Sequence, residues 1–186
     1  MRTLSLLLIL PVVFLSACQT SKSEMYTGTA GDAYEDRRAV RELKVLAVKL
    51  PKQIHGKYED AELERYQRDW PMTGARLVAD GVQEETDDKV LAMAALDRPT
   101  RGHYFELEIE YLDLGDPELR ASAVLNNSKQ GWSHVLAKGR LVNAETGELV
   151  AELKFEQSSG GLTKSPFEKD MSNLGEELGR WLNSHR

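Results

Sequence analysis

The alternation of apolar and acidic residues between Tyr104 and Leu112 constrains the fold of this chain more than any other feature. The apolar members are Phe105, Leu107, Ile109 and Tyr111, and the residues between them are Glu106, Glu108 and Glu110. Successive side chains of a β-strand point to opposite faces, so the pattern predicts a strand with one buried face and one face in water. Such strands are typical of antiparallel sheets that are covered on one side.

Further strands are predicted on both sides of this one. Leu43 to Leu50 places apolar side chains on both faces, which predicts a central strand covered on both sides. Val135 to Val142 and Leu149 to Gln157 flank a turn in which Gly147 can adopt the left-handed conformation, so they predict a β-hairpin. Val90 to Leu96 is apolar throughout and too short to assign by periodicity: it either ends a preceding helix or forms a separate strand.

Two helices are predicted. Thr73 to Gln83 shows apolar residues at helical spacing, with Pro71 or Thr73 as the start signal. The segment from Pro51 to Trp70 is interpreted as a charged excursion in which Asp60 to Gln67 forms a helical turn or two. The second helix begins at Ser165-Pro166, where a capping box coincides with a proline at the first helical position. Its apolar stripe consists of Phe167, Met171, Leu174, Leu178, Trp181 and Leu182.

The order of these elements indicates an α+β domain. We expect a mostly antiparallel sheet with helices packed on one face and an amphipathic C-terminal helix. Gly175 and Gly179 lie one turn apart on that helix and are expected to let it approach the sheet closely. They also suggest room for a small apolar ligand beside Met171 and Leu178, between helix and sheet.

The N-terminal residues follow a different pattern. Arg2 precedes an apolar stretch from Leu4 to Leu15 that is too short to cross a bilayer as a helix. The residues that end this stretch, Leu15-Ser16-Ala17-Cys18, resemble the bacterial lipobox at all four positions. The resemblance identifies the chain as a bacterial lipoprotein. It implies cleavage before Cys18, a diacylglyceryl thioether on the cysteine sulfur, an acylated amine, and no role for Cys18 as a nucleophile.

These features divide the chain into three parts. We expect a signal peptide over residues 1–17, a lipidated flexible tether over residues 18–32, and a single α+β domain over residues 33–186. In lipoproteins of bacteria with two membranes, the residue after the cysteine influences sorting. Gln19 at that position, in place of aspartate, implies the periplasmic face of the outer membrane. The acyl chains on Cys18 are then the contact with the membrane.

Charge and composition argue against several functions. The formal net charge of −6 disfavours nucleic-acid binding. Cys18 is the only cysteine, so its lipidation leaves no thiol for disulfides or thiolate metal sites. No Gly-x-Ser-x-Gly elbow is present. The histidines show no i, i+4 pair that a metal requires on a helix; they are His55, His103, His134 and His185. We therefore predict no catalytic, cofactor or metal site.

Three other patterns have two interpretations each. Gly160 to Ser165 superficially resembles a phosphate loop, but Thr163 stands where a glycine must precede the lysine, which favours a plain connection. The alternate glutamates of the 104–112 strand form either a cation site or a solvated face, and we favour the face. Trp70 and Trp132 are predicted to lie in loops, where they either form a contact patch for a partner or a lipid, or fold back over the core.

The domain also resembles known lipoproteins. The hairpin that runs from Lys138 to Val150, followed by a Ser-Gly-rich loop and a helix, resembles uncharacterised bacterial envelope lipoprotein families. The succession of strand, Pro51, charged excursion, Trp70 and helix is similar to auxiliary lipoproteins of ABC-type transporters, whose small α+β domain is non-catalytic.

We therefore expect a membrane-anchored, non-catalytic envelope lipoprotein. Its role would be that of an accessory or assembly module, with an envelope protein as its partner. The alternative is a periplasmic carrier or sensor of a small apolar ligand. A third interpretation is a hydrolase whose catalytic residues are dispersed along the chain.

Overall fold

The alternating strand found in the sequence lies inside a six-stranded sheet. The computed structural model describes residues 19–27, 39–126, 130–159 and 166–184. Its elements, in chain order, are β1 (Gln19–Thr27), β2 (Glu42–Leu46), α1 (Asp60–Glu85), β3 (Leu91–Ala95), β4 (His103–Asp113), α2 (Pro117–Asn126), β5 (Ser133–Asn143), β6 (Leu149–Ser159) and α3 (Pro166–Asn183).

Antiparallel pairs dominate the sheet. Within the described residues the strand order is β1-β6-β5-β4-β2-β3. β4, β5, β6 and β1 are joined by antiparallel pairing, whereas β2 runs parallel to both β3 and β4. Helices α1 and α3 pack on each other and on one face of the sheet. The predicted α+β class, with a mostly antiparallel sheet and a C-terminal helix, is confirmed.

The predicted hairpin is present, and the predicted alternation is present up to Ile109. A register shift between Ile109 and Tyr111 leaves Tyr111 partly exposed and buries Leu112 in its place, so the prediction is wrong for Tyr111. In β4, Phe105, Leu107 and Ile109 are buried on the helix-covered face, and Glu108 and Glu110 are exposed on the other. β5 and β6 form the predicted hairpin, and Gly147 in its turn has a φ of 74°. This left-handed conformation is one that glycine adopts without a Cβ penalty.

β2 is an inner strand, as predicted, but it is covered on one side only. Leu43 and Val45 are fully buried, whereas Lys44 and Leu46 on the other face are partly exposed. The prediction of burial on both faces is therefore wrong, because both packing helices lie on the same side of the sheet. The open question over Val90 to Leu96 is resolved in favour of a strand, β3, which pairs with β2.

Helix α1 is longer than the sequence predicts. The predicted helix from Thr73 is present, and Asp60 to Gln67 is helical as predicted, but the two are one continuous helix, so the interpretation of residues 60–70 as part of an excursion is wrong. The helix starts at a reciprocal capping box between Glu59 and Glu62. Pro71 lies inside the helix and removes one intrahelical hydrogen bond. Its carbonyl oxygen accepts a hydrogen bond from the Val48 amide at 2.9 Å, which ties the helix to the chain after β2.

Helix α2 was not among the predicted elements. Asp116 caps it: one carboxylate oxygen accepts hydrogen bonds from the amides of Glu118 at 2.8 Å and Leu119 at 3.2 Å. Pro117 occupies the first helical position, where a missing amide hydrogen is tolerated. The sequence therefore carried a local start signal for this helix.

Helix α3 is the predicted amphipathic helix, but its glycines face a different neighbour. A Cβ at Gly175 would lie 2.4 Å from the Val78 carbonyl oxygen, and a Cβ at Gly179 would lie 3.1 Å from the Cα of Val82. Both glycines thus allow close approach to α1, and the predicted approach to the sheet is wrong. Ser165, the predicted cap, lies outside the described residues.

Strand β1 differs from the predicted tether. The sequence predicts flexibility over residues 18–32, but Gln19–Thr27 pairs with β6 in antiparallel register, so the prediction is wrong over these nine residues. Strand pairing uses backbone groups, which a polar sequence supplies as well as an apolar one. Residues 1–18 and 28–38 lie outside the described part of the chain, and the signal peptide remains a prediction.

Candidate functional site

The position of β1 determines where the predicted anchor joins the domain. Gln19 pairs with Ser159, the last residue of β6, and Ser159 pairs on its other side with Ser133, the first residue of β5. Cys18 lies outside the described residues, but its Cα is only about 3.8 Å from that of Gln19, because the two are consecutive. We call the end of the sheet that contains Ser133 and Ser159 the Cys18 end.

A buried polar cluster joins α3 to the sheet at the Cys18 end. One carboxylate oxygen of Asp170 accepts a hydrogen bond from the Ser159 hydroxyl at 2.7 Å and another from the Gln157 side-chain amide at 2.7 Å. The same amide donates to the Ser159 hydroxyl at 3.0 Å, and the Ser133 hydroxyl donates to the Ser159 carbonyl oxygen at 3.2 Å. All four side chains are buried in the domain.

Burial changes the protonation of Asp170. Removal of the carboxylate from water raises the pKa of Asp170 to about 7. This pKa is lowered, to a smaller extent, by the hydrogen bonds from Ser159 and Gln157. The charges of Lys169 and Arg120 also lower it. A hydroxyl and a carboxylate therefore meet here, but Ser159 is buried against the carboxylate, so the pair does not present a nucleophile to a substrate.

A cavity of about 150 Å³ lies between α1, α2 and the start of α3. Arg120, which contributes to its lining, is only 4% exposed. Within the described residues its Nη1 atom has no hydrogen-bond partner. Burial lowers the pKa of Arg120, although the charges of Asp116 and Asp170 act in the opposite direction. The aromatic rings of Tyr66 and Trp70 also line the cavity.

The structure separates the two tryptophans that the sequence singled out. Trp70 lies within α1, not in a loop, and is 5% exposed. Its ring stacks between those of Tyr66, at 4.0 Å, and Phe167, at 4.3 Å. Trp132 does lie in a loop, just before β5, and is half-buried. Trp70 is therefore a core residue that also lines the cavity, and the two do not form one exposed patch.

The face of the sheet opposite α1 and α3 carries alternating charges. Glu106 forms ion pairs with Arg98 and Arg140, and Glu110 pairs with Lys138. A groove of about 410 Å³ runs over this face and is lined by side chains of both signs. These contacts support the interpretation of the strand glutamates as a solvated surface.

The described residues contain no group of three or more His, Cys, Asp or Glu side chains placed to hold a metal ion. His55 and His134 both contact the ring of Tyr111, at centroid distances of 5.1 and 5.7 Å. His103 is buried at the start of β4, and His185 lies outside the described residues. Gly160 to Ser165 is likewise outside them. Among the helices that are described, none is both long and apolar enough to cross a bilayer.

The space that suggested an apolar ligand is occupied by protein. Met171 and Leu178 are fully buried, and the backbone of Val78 in α1 fills the gap beside Gly175. The observation that motivated the carrier hypothesis is therefore explained by helix packing.

Sequence reasoning did not single out Arg120 or Asp170. For Asp170 a signal existed, because it occupies a position on the apolar stripe of α3, between Phe167 and Leu174. Gln157 and Ser159 likewise continue the inward-facing register of β6 after Phe155. Polar residues in core register mark buried hydrogen-bonded groups. Arg120 had no such signal, since its helix was itself not predicted.

Comparison with known proteins identifies the fold. No protein-family model matches the sequence, and no curated protein matches it. Among solved structures, two PelC dodecamers from Paraburkholderia phytofirmans are similar. One, a single-substitution variant, has a TM-score of 0.52 and 10% identity, and the match covers 90% of this chain and 100% of PelC. The other has a TM-score of 0.50 and 10% identity, and the match covers 86% of this chain and 96% of PelC. A Xanthomonas campestris protein of the DUF330 family has a TM-score of 0.46 and 15% identity. The match covers 78% of this chain and 85% of that protein. The domain therefore has the fold of PelC.

Proposed function

We propose that this chain is a lipid-anchored, non-catalytic envelope lipoprotein at the periplasmic face of the outer membrane, where it acts as an assembly module. The lipobox residues that end in Cys18 support the anchor. Because β1 begins at the next residue, a lipid on Cys18 would hold the Cys18 end of the sheet close to the bilayer. The charged face opposite α1 and α3 and the buried Ser159–Asp170 pair fit a binding role better than a catalytic one.

One observation carries the assembly role: the chain shares its fold over 90% of its length with PelC, whose chains form dodecamers. We propose that this protein also self-associates. Strand β3, at the edge of the described sheet, supplies a surface suited to it, because Leu91 and Met93 on this strand and Leu96 directly after it are exposed. Exposed apolar side chains beside a sheet edge are typical of protein contacts.

The anchor is tested by replacing its cysteine. Cys18→Ala is expected to abolish incorporation of radiolabelled palmitate and to move the protein from the membrane fraction to the soluble periplasmic fraction. Ser16→Gly, a conservative change between small residues within the lipobox, is the matched control and should retain labelling. Labelling that persists in Cys18→Ala would contradict the proposal.

Assembly is tested by native mass spectrometry of the full chain in detergent. We expect a closed oligomer, because identical chains that contact one another head to tail form rings when the rotation closes. The double variant Met93→Lys and Leu96→Lys should shift the population to monomer by at least about tenfold, since charges would be buried at the contact. Leu119→Lys, at an exposed leucine on α2, is the matched control. A monomeric wild-type chain would refute the assembly role.

A further inference from the structure

Arg120 is charged, buried and unpaired within the described residues. Arginine is almost never fully buried without a partner, because an isolated guanidinium loses its hydration. Arg120 takes part in none of the ion pairs found among the described residues, and its Nη1 atom donates to no protein oxygen there. Its side chain lines the cavity described above, so a small ligand that enters this space would meet the Arg120 side chain.

Two acidic side chains, Asp116 and Asp170, act on Arg120 through their charge, and both have other hydrogen-bond partners. Asp116 uses one carboxylate oxygen to cap α2, and its other oxygen lies 3.9 Å from the Lys57 ammonium. Asp170 accepts hydrogen bonds from Ser159 and Gln157 on one carboxylate oxygen, and its other oxygen has no hydrogen-bond partner among the described residues. Among the described residues, neither carboxylate lies within ion-pair distance of the Arg120 guanidinium.

The rest of the cavity suits an oxyanion of limited size. Lys57 lines it and adds a second cationic group, although its ammonium also contacts Glu118. The carboxylate of Glu62 borders it as well, but this side chain is exposed and engaged in the capping box of α1. The stacked rings of Tyr66 and Trp70 form an apolar, rigid wall that excludes water from one side. The volume of about 150 Å³ accommodates one phosphate group but no nucleotide. A planar guanidinium fork matches two phosphate oxygens at once.

We propose that this cavity binds a phosphate group, held by Arg120 from within and by Lys57 at the rim. The phosphate comes either free from solution or on the headgroup of a phospholipid. The inference does not depend on lipidation or self-association, since it rests on the cavity of a single chain.

Thermal unfolding of the full chain in dodecyl maltoside and phosphate-free buffer tests the proposal, with tryptophan fluorescence as the signal. Inorganic phosphate at about a hundredfold excess over its Kd should raise the Tm by about 5 °C. Arg120→Met should abolish this rise. In phosphate-free buffer the same variant should unfold at or above the wild-type Tm, because an unpaired buried charge has been replaced by an apolar chain of similar length. Arg76→Met, at an exposed arginine of α1, is the control and should keep the rise.

A second arm replaces inorganic phosphate with phosphatidylglycerol in mixed micelles. A rise with inorganic phosphate assigns a free anion, whereas a rise with phosphatidylglycerol alone assigns a lipid headgroup; in either case it must be lost in Arg120→Met. The proposal is overturned if the wild-type chain responds to neither ligand or if Arg120→Met responds equally. It is also overturned if Arg120→Met is markedly less stable than the wild type without phosphate, because Arg120 would then be a paired structural residue.

Discussion

The two halves of helix α3 pack against the domain differently, one through side chains and the other through its backbone. The first half, up to Leu174, carries Asp170 into a buried polar cluster and stacks Phe167 on Trp70. The second half brings its backbone against α1 at Gly175 and Gly179, where the glycines themselves contribute no side chain. One helix thus combines an interface that depends on the absence of side chains with one that depends on hydrogen bonds.

We infer from this difference that the glycine half of α3 serves stability and the polar half serves function. Close backbone approach at Gly175 maximises contact between the helices and leaves no free space. At the polar half, the interior retains a carboxyl group with a raised pKa and, within the described residues, an unpaired arginine, although each lowers stability. A stable core does not need either group, so the polar half is where we expect binding.

The largest expected effect concerns Asp170. Its pKa is about 7 in the folded chain against 3.8 for an exposed aspartate, so the folded state holds a proton that the unfolded state has lost between these pH values. The free energy of unfolding therefore falls as pH rises from about 4 to about 7, by about 4 kcal/mol in total. Asp170→Asn should remove this dependence and be more stable than the wild type at about pH 8.

Urea unfolding of both chains across this pH range measures the effect. Glu168→Gln, at an exposed position of the same helix, is the control and should follow the wild-type curve. If the curves of wild type and Asp170→Asn run parallel, Asp170 does not titrate in the folded interior and the contrast between the two halves is lost.

The glycine half is tested by adding one carbon. Gly175→Ala should lower the free energy of unfolding by about 3 kcal/mol, because the new Cβ would lie 2.4 Å from the Val78 carbonyl oxygen. Gly179→Ala should have a smaller effect, since its closest contact, at 2.6 Å, is the side-chain Cβ of Glu85. Helix propensity alone predicts the reverse, a gain of about 1 kcal/mol for each alanine. Chemical denaturation of the two variants distinguishes these outcomes.

The smallest expected effect concerns Ser159. Ser159→Ala removes the hydroxyl that donates to Asp170 and should lower the free energy of unfolding by about 1 kcal/mol at about pH 8. Because that hydrogen bond favours the charged carboxylate, its loss should also raise the pKa of Asp170 further. NMR titration of the Asp170 carboxyl carbon in both chains checks the direction, and a lowered pKa would contradict the assigned donor.

Local patterns predicted much of the fold. The alternation in β4, the hairpin around Gly147 and the stripe of α3 each depend on residues close in sequence, so periodicity and turn chemistry sufficed. α2 was missed although Asp116-Pro117 is a start signal, because the residues after it show no clear apolar period. β1 was missed because an edge strand can pair through its backbone without apolar side chains.

The candidate site was harder to predict for a physical reason. Lys57, Trp70 and Arg120 come from three separate segments, and only the packing of α1, α2 and α3 brings them to one cavity. No spacing of residues along the chain predicts that these three side chains line the same cavity. Asp170 could have been predicted from the sequence, because an acidic residue on an apolar helical stripe indicates a buried hydrogen-bond partner.

The pairing of the first strand with the last has a consequence for biogenesis. Residues 19–27 cannot take their place in the sheet until residues 151–159 exist and have folded against β5. Pairing across such a sequence separation is slow compared with the formation of helices and hairpins. If the chain is exported as proposed, the segment after Cys18 stays unpaired until the residues of β6 have been delivered. In the proposed lipoprotein, that delay would leave Cys18 accessible to the maturation enzymes before Gln19–Thr27 joins the sheet.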